Sequence, residues 1–419
     1  MDWGKGGISG PDGEDWRVPV SELIERQKKV SLRLAKEGVE SAFIDDPVEL
    51  YWLTGSRQDS SFLIGADGSD IQNTHWVRKS LDRAKFESGG EDCPHVIEKH
   101  PRMGDLFDSL NNIGCTIMPC TLEKKIPHNR WSFLRSKMGG FSNDSADCTD
   151  WIYELREVKS DWEKEMIRES GEINLSMFEE IQNFGGLGKT ELEIAGAAEQ
   201  VSRSAGFGGR IRMRRWPMDC DRVVITSGKS GSVPTFFDSA IGGYGSSPIS
   251  PLGAGFTKVM EKDPVLVDIV HVHRGYVSDC TRMFCAGNLP KEWSNRLEDM
   301  IEISDAVVNS LAKGDFCSDA WKIGSEIANE MGHSEHLMGI SPNQAKFLGH
   351  SVGLELDETP VVAEGFERSL ELGGTMAVEP KIIFEEGAIG IEDTWIRCND
   401  GIECLTAGSR FPAISEWQT

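Results

Sequence analysis

The sequence predicts an α+β protein of two domains, a smaller N-terminal α/β domain and a larger C-terminal one of catalytic size. Three observations carry this expectation. Helical and strand patterns alternate from Val20 to about Cys148, which suits a compact α/β domain. One long amphipathic helix follows. From Arg210 the chain turns to strands broken by Gly, Pro and Ser loops. The expected divisions are a flexible leader at 1–19, a first domain at 20–150 and a second at 151–419.

The leader is polar and Gly-rich and lacks the apolar stretch of a signal peptide. From Val20, the residues Leu23, Ile24, Val30, Leu32 and Leu34 recur among Glu, Lys and Arg, so a helix starts there. Residues 41–46 read as a short buried strand, which 50–55 is expected to continue toward a turn at Gly55. Residues 61–65 read as a further strand. The long helix is expected over 160–184, with Trp162, Met166, Ile167, Ile173, Met177, Phe178 and Ile181 on one face and Gly185-Gly186 as its stop. A second helix spans 190–204. Strands are expected over 222–228, 264–270, 277–282, 374–380 and 389–395, with helices near 293–312 and 318–331.

Composition removes several classes of function. Lys and Arg total 44 against 68 Asp and Glu, a formal charge of −24 that repels nucleic acid and anionic lipid. No apolar run approaches the roughly 20 residues of a membrane span. The ten cysteines are scattered singly with no CxxC pair, which reads as reduced thiols in a cytoplasm.

Five residues stand out by their surroundings. Asp268 lies in Val-Leu-Val-Asp-Ile-Val, where an unpaired carboxylate is costly to bury. Asp279 follows a Gly275-Tyr276 turn that suits a hairpin. Glu379 sits in Met-Ala-Val-Glu-Pro, Glu392 in Ile-Gly-Ile-Glu-Asp, and His350 in Leu-Gly-His-Ser-Val-Gly. Singly, each has an ordinary reading: a salt bridge or cap for the acids, a hydrogen-bonded core residue for the imidazole. Together, four carboxylates and one imidazole suit a pair of divalent ions such as Mn, Co, Fe or Zn.

These residues also carry a resemblance. The stretch from Asp268 to Arg282 resembles the signature of the M24 metallopeptidase superfamily, which includes creatinase, aminopeptidase P, prolidase and methionine aminopeptidase. The likeness continues through Gly349-His350-Ser351-Val352-Gly353-Leu354, Val378-Glu379-Pro380 and Ile391-Glu392-Asp393. Tyr51-Trp52-Leu53-Thr54-Gly55 resembles the non-catalytic domain of prolidases and aminopeptidase P. The resemblance implies a creatinase-like N-terminal α/β domain and a C-terminal pita-bread catalytic domain with two divalent ions. By position, Asp268 would hold the first ion and Asp279 both, His350 and Glu379 the second, with Glu392 bridging. Glu379 would also shuttle a proton while a metal-bridged hydroxide attacks a small peptide-like amide. The resemblance implies a homodimer as well.

Three positions depart from that pattern. Thr235 stands where prolidase-like peptidases carry a substrate-site histidine, Asp357 stands at a second such position, and Gly390 replaces the arginine usual in aminopeptidase P. Two functions therefore stay open. One is an Xaa-Pro peptidase-like hydrolase of a short peptide, with Thr235 and Asp357 at the substrate. The other is a non-peptidase of the same superfamily, such as a dimethylsulfoniopropionate lyase or an amidohydrolase of a small cationic metabolite. In that case Asp357 acts as base or cation anchor. The cluster Arg210, Arg212, Arg214 and Arg215 reads as a solvated strand face in preference to a carboxylate clamp. His271 and His273 fall out of phase with Asp268 and are expected to face away from it.

Overall fold

Leu23, Val30 and Leu34 line the buried face of α1 (Val20–Lys36), the amphipathic helix that the spacing predicts. The computed structural model describes residues 8–144, 146–207, 209–216 and 218–418. Of the expected leader, residues 1–7 lie outside the described residues. The rest carries an antiparallel bridge between Ser9 and Asp15 and buries Val18, so this stretch is anchored where composition suggested flexibility.

The chain divides into two compact units, one ending at Arg156 and the other beginning at Glu157. In the first, β1 (Ser41–Ile44) leads into α2 (Pro47–Thr54). The expected strand continuation at 50–55 is thus a helix. Asp46 caps it by accepting from the Val48 and Glu49 amides at 2.9 and 3.3 Å, and Pro47 pre-sets the first turn. Gly55, at φ 73°, supplies the left-handed residue that ends it. Then come β2 (Ser60–Gly65), β3 (Thr74–Val77), α3 (Leu81–Glu87), β4 (Val96–Lys99), α4 (Leu106–Asn112), α5 (His128–Lys137) and α6 (Thr149–Glu157). The sheet runs β1-β2-β3-β4, antiparallel except for the parallel β3–β4 pair.

Two histidines are buried in this unit without charge. The His75 ring bonds Ser60 Oγ at 2.8 Å and the His95 ring bonds Gln27 at 3.0 Å. Burial, and then the neighbouring His95, lowers His75 to about 3, and burial lowers His95 to about 4. Both folded values lie below the unfolded 6.5. The neutral pair is therefore stable above that pH, and stability falls as pH drops through it toward the folded values. Between pH 6.5 and about pH 5 each histidine is expected to remove roughly 2 kcal/mol. Urea unfolding across that range should show the loss, and His75→Gln should flatten it. An unchanged pH slope in the variant would contradict the assignment.

The second unit opens with α7 (Asp161–Phe184) and α8 (Glu191–Ser204), each started by a capping box, Ser160 with Glu163 and Thr190 with Glu193. Next are β5 (Val223–Ser227), β6 (Val265–His273), β7 (Tyr276–Ala286), α9 (Lys291–Lys313) and α10 (Cys317–Glu330). The chain then forms β8 (Phe347–Ser351), β9 (Glu358–Ala363), β10 (Thr375–Val378), β11 (Lys381–Phe384), β12 (Gly387–Gly390), β13 (Asp393–Cys398), β14 (Gly401–Cys404) and β15 (Ile414–Trp417). Two sheets, β15-β7-β6-β5 and β14-β13-β10-β8-β9, dominate, with β11 and β12 as a separate ribbon. Met177, Phe178 and Ile181 of α7 and Ile194 of α8 pack with Val265, Val267, Ile269 and Phe284. Leu297, Met300, Ile303 and Val307 of α9 pack with Leu266, Met283, Met376 and Ile389.

Among the described residues no helix is long and apolar enough to cross a membrane. All ten cysteines are free thiols.

Candidate metal centre

Strand alternation decides which side of the β6–β7 hairpin carries chemistry. Val265, Val267 and Ile269 face the α7–α8 core, so Asp268 and Val270 point the other way, into a cavity. The hairpin closes through Arg274 and Gly275, both at positive φ (50° and 98°), as a two-residue loop of this twist requires. Its register sets Asp279 opposite Val270. His271 bonds Ser202 Oγ at 2.9 Å and His273 meets Glu169 at 2.8 Å, both on the helical side away from Asp268.

The second sheet supplies the other groups. His350 on β8 pairs with Ala377 of β10, and Glu379 follows directly after that strand. The two strands approach so closely that a Cβ at Gly349 would lie 2.4 Å from the Ala377 carbonyl oxygen. Glu392 sits between β12 and β13 and is tied back to the hairpin by a bridge to Thr281.

Donor atoms of Asp279, His350 and Glu392 lie within 4.8 Å of one another. His350 Nε2 is 3.4 Å from Glu379 Oε1 and 3.8 Å from Asp279 Oδ2, while its Nδ1 faces the Ser351 carbonyl at 3.3 Å. Thr281 donates to Glu392 Oε2 at 2.8 Å. Two buried oxygens, Asp279 Oδ1 and Glu392 Oε1, have no hydrogen-bond partner among the described residues. Buried acceptors in an acid cluster are rarely left so, and a cation satisfies them. The residues fit a divalent ion.

One further side chain enters this cluster. Lys381, almost wholly buried, donates from Nζ to Glu379 Oε2 at 2.6 Å, Glu392 Oε2 at 2.7 Å and Asp268 Oδ2 at 3.2 Å. Sequence reasoning missed it. Its only local signal was a lysine two residues after Glu379 in an apolar strand. The charges are strongly perturbed. Burial, and then the Glu392 and Asp268 carboxylates, push the Asp279 carboxyl well up. Burial likewise lifts Glu392 to about 8, against the opposing charge of Lys381. Burial works to raise Glu379 as well, but Lys381 and His350 prevail and hold it down at about 2. His350 is raised to about 8, the Glu379 partner outweighing the cost of burial.

A cavity of about 270 Å³ opens beside these groups. Asp268, Asp279, His350 and Glu379 border it, and Met213, Met218, Phe237, Phe347 and Leu356 give it apolar walls. Arg214, Arg215, Lys346, Asp238 and Asp357 also line it. Arg214 and Arg215 thus line the cavity, Arg215 while still exposed to solvent, and no regular strand forms there. Asp357 accepts from the backbone amides of both arginines and, at 3.1 Å, from Arg215 Nε. Its carboxylate thus meets protein donors at the place where the sequence suggested a substrate cation or an abstractable proton. Thr235 borders a different cavity, with Pro234, Phe236, Gly339 and Asn343. Cys220 also borders the first cavity. Burial and then the Asp279 and Asp268 carboxylates push its thiol well up, which leaves it protonated and poorly nucleophilic.

This scaffold agrees with the comparisons. The model of metallopeptidase family M24 matches residues 165–396, and the chain belongs to that family. It is an enzyme of the metallopeptidase class, with the α+β pita-bread fold. The chain is 24% identical over 394 residues to an Xaa-Pro dipeptidase of Pyrococcus furiosus, covering 93% of this chain and 99% of the relative. An uncharacterized peptidase of Staphylococcus aureus is 25% identical over 391 residues, 90% of this chain and 97% of the relative. Among solved structures, an X-Pro aminopeptidase from Thermotoga maritima superposes with a TM-score of 0.75 at 19% identity, covering 94% of this chain and 99% of that one. The prolidase from Pyrococcus horikoshii gives 0.72 at 22% identity, over 91% and 98%.

Proposed function

We propose that this chain is a divalent-metal-dependent hydrolase that cleaves the amide of a short peptide bearing a free carboxylate. The observation that carries the reading is the convergence of Asp279, His350 and Glu392, two of them with unpartnered buried oxygens, beside the cavity. Those three residues would hold an ion and leave a coordination position open, as catalytic sites do. When bound, such an ion supplies Lewis acidity, which polarises a carbonyl group and makes water a stronger acid.

The chain's own groups do the rest. Glu379, kept ionised by Lys381, accepts a proton from the attacking water at Oε1 and passes it to the leaving amine nitrogen. The apolar walls receive a hydrophobic residue of the substrate. Arg215 and Lys346 at the same cavity favour a carboxylate terminus. Asp357 positions the arginine pair from behind, through the bonds to Arg214 and Arg215. Those bonds occupy the carboxylate that a lyase would need as its base, so the geometry favours amide hydrolysis over elimination. The names of the Xaa-Pro dipeptidase relatives support the peptide substrate.

A substrate panel on metal-reconstituted protein tests the reading. Dipeptides with apolar residues, Xaa-Pro among them, should be cleaved, and amidation of the C-terminus should lower kcat/KM at least about tenfold, the worth of one charge-assisted contact. Asp357→Asn should lose that preference for the free carboxylate. Elimination from a sulfonium acid with no cleavage of any amide would overturn the proposal.

A further inference from the structure

The ammonium of Lys381 stands where a second metal ion would be expected. Its Nζ touches one oxygen each of Asp268, Glu379 and Glu392, three of the five residues whose positions imply a two-ion site. An ion sharing those oxygens would lie about 2.0–2.2 Å from each, within the space the ammonium fills. Two cations in that one triangle of oxygens would also repel strongly at low dielectric.

A second observation shows that the lysine is built in. Lys381 on β11 pairs directly with Gly390 on β12. A Cβ at position 390 would lie 2.4 Å from Lys381 Cγ and 2.8 Å from the Pro380 carbonyl oxygen. Any side chain there would push the lysine stem out of its path. The bare glycine, at the position where the resemblance leads one to expect arginine, is thus the channel through which the lysine reaches the acids.

The remaining donors are not bonded to the lysine. Asp279 Oδ1 and Glu392 Oε1 are unpartnered, and His350 Nε2 is 3.8 Å from Asp279 Oδ2, a gap that one ion can bridge. We propose that Lys381 is a resident cation replacing one of the two divalent ions, so that the chain holds a single ion, at Asp279, His350 and Glu392. The proposal rests on the reading of this cluster as a divalent-ion centre. The acids are then neutralised partly by a covalently attached charge, and Asp268 becomes a partner of the lysine instead of a metal ligand.

The test is stoichiometry, which needs no substrate. Metal-free protein is titrated with Co²⁺, following its d–d absorption, and metal content is measured after equilibrium dialysis. The wild-type chain should reach its end point at about one ion per chain. Lys381→Met, which keeps the stem and removes the charge, should reach about two, and Lys381→Arg should stay at one. A wild-type end point at two ions overturns the inference and leaves the divalent-ion reading standing. No ion in the wild type overturns that reading and the inference with it. One ion in a folded Lys381→Met chain shows that the lysine displaces nothing, which also overturns the inference. If Lys381→Met does not fold, the wild-type end point decides alone.

Discussion

Glu379→Gln is expected to lower kcat for amide hydrolysis by about 10²–10⁴-fold, the usual worth of a positioned general base. The substitution keeps the shape of the side chain and removes the charge that Lys381 holds in place. Ion binding should stay within a few-fold of wild type, because Asp279, His350 and Glu392 remain. KM should change little, since in the proposed mechanism Glu379 handles a proton and does not anchor the substrate. This pattern separates proton transfer from ion loss. Loss of the ion together with activity would make Glu379 a ligand first, and a kcat within about threefold of wild type would remove it from the chemistry.

The second large effect is structural. Arg282 is fully buried and donates through Nη2 to both oxygens of Asp393, at 3.0 and 2.9 Å. It also donates to the carbonyls of Thr281, Glu392 and Gly408, at 2.8, 2.9 and 3.0 Å. Arg282→Met leaves Asp393 buried without its cation, so the second unit should lose about 3–5 kcal/mol. Urea unfolding should show the transition of this unit moving to lower denaturant with its slope unchanged. Removing both charges, as Arg282→Met with Asp393→Leu, should recover only part of the loss: no uncompensated charge stays buried, but the Thr406 hydroxyl and Gly408 amide lose the Asp393 acceptor. A single variant as stable as wild type would mean that the pair contributes nothing net.

Much of the fold was legible because its elements carry strong local signals. The helix at α7 announces itself through its period and the Gly185-Gly186 stop. The segment after β1 was misread because its apolar run, Leu50-Tyr-Trp-Leu, looks alike in a buried strand and a buried helix. The Asp46-Pro47 cap was the available arbiter. At the site, acids inside apolar strands were conspicuous because their burial demands an explanation. Lys381 was not, since a charge at a strand end is ordinary and its target acids are brought to it only by sheet pairing. Gly390 was noticed as a missing arginine, but its meaning is the space it leaves across the ribbon. Arg214 and Arg215 lie more than a hundred residues before Asp357 and meet it only in the tertiary structure.

The lysine among the acids also bears on how such a protein matures. Four carboxylates gathered in one buried place repel each other, and a site that relies wholly on dissolved ions for relief ties folding to their supply. Here a counter-charge travels with the polypeptide from its synthesis onward. On the single-ion proposal, the chain would complete its fold in a metal-poor setting and acquire its ion afterwards. Starvation for metal would then leave an intact, reloadable reserve of protein instead of an unfolded pool exposed to degradation.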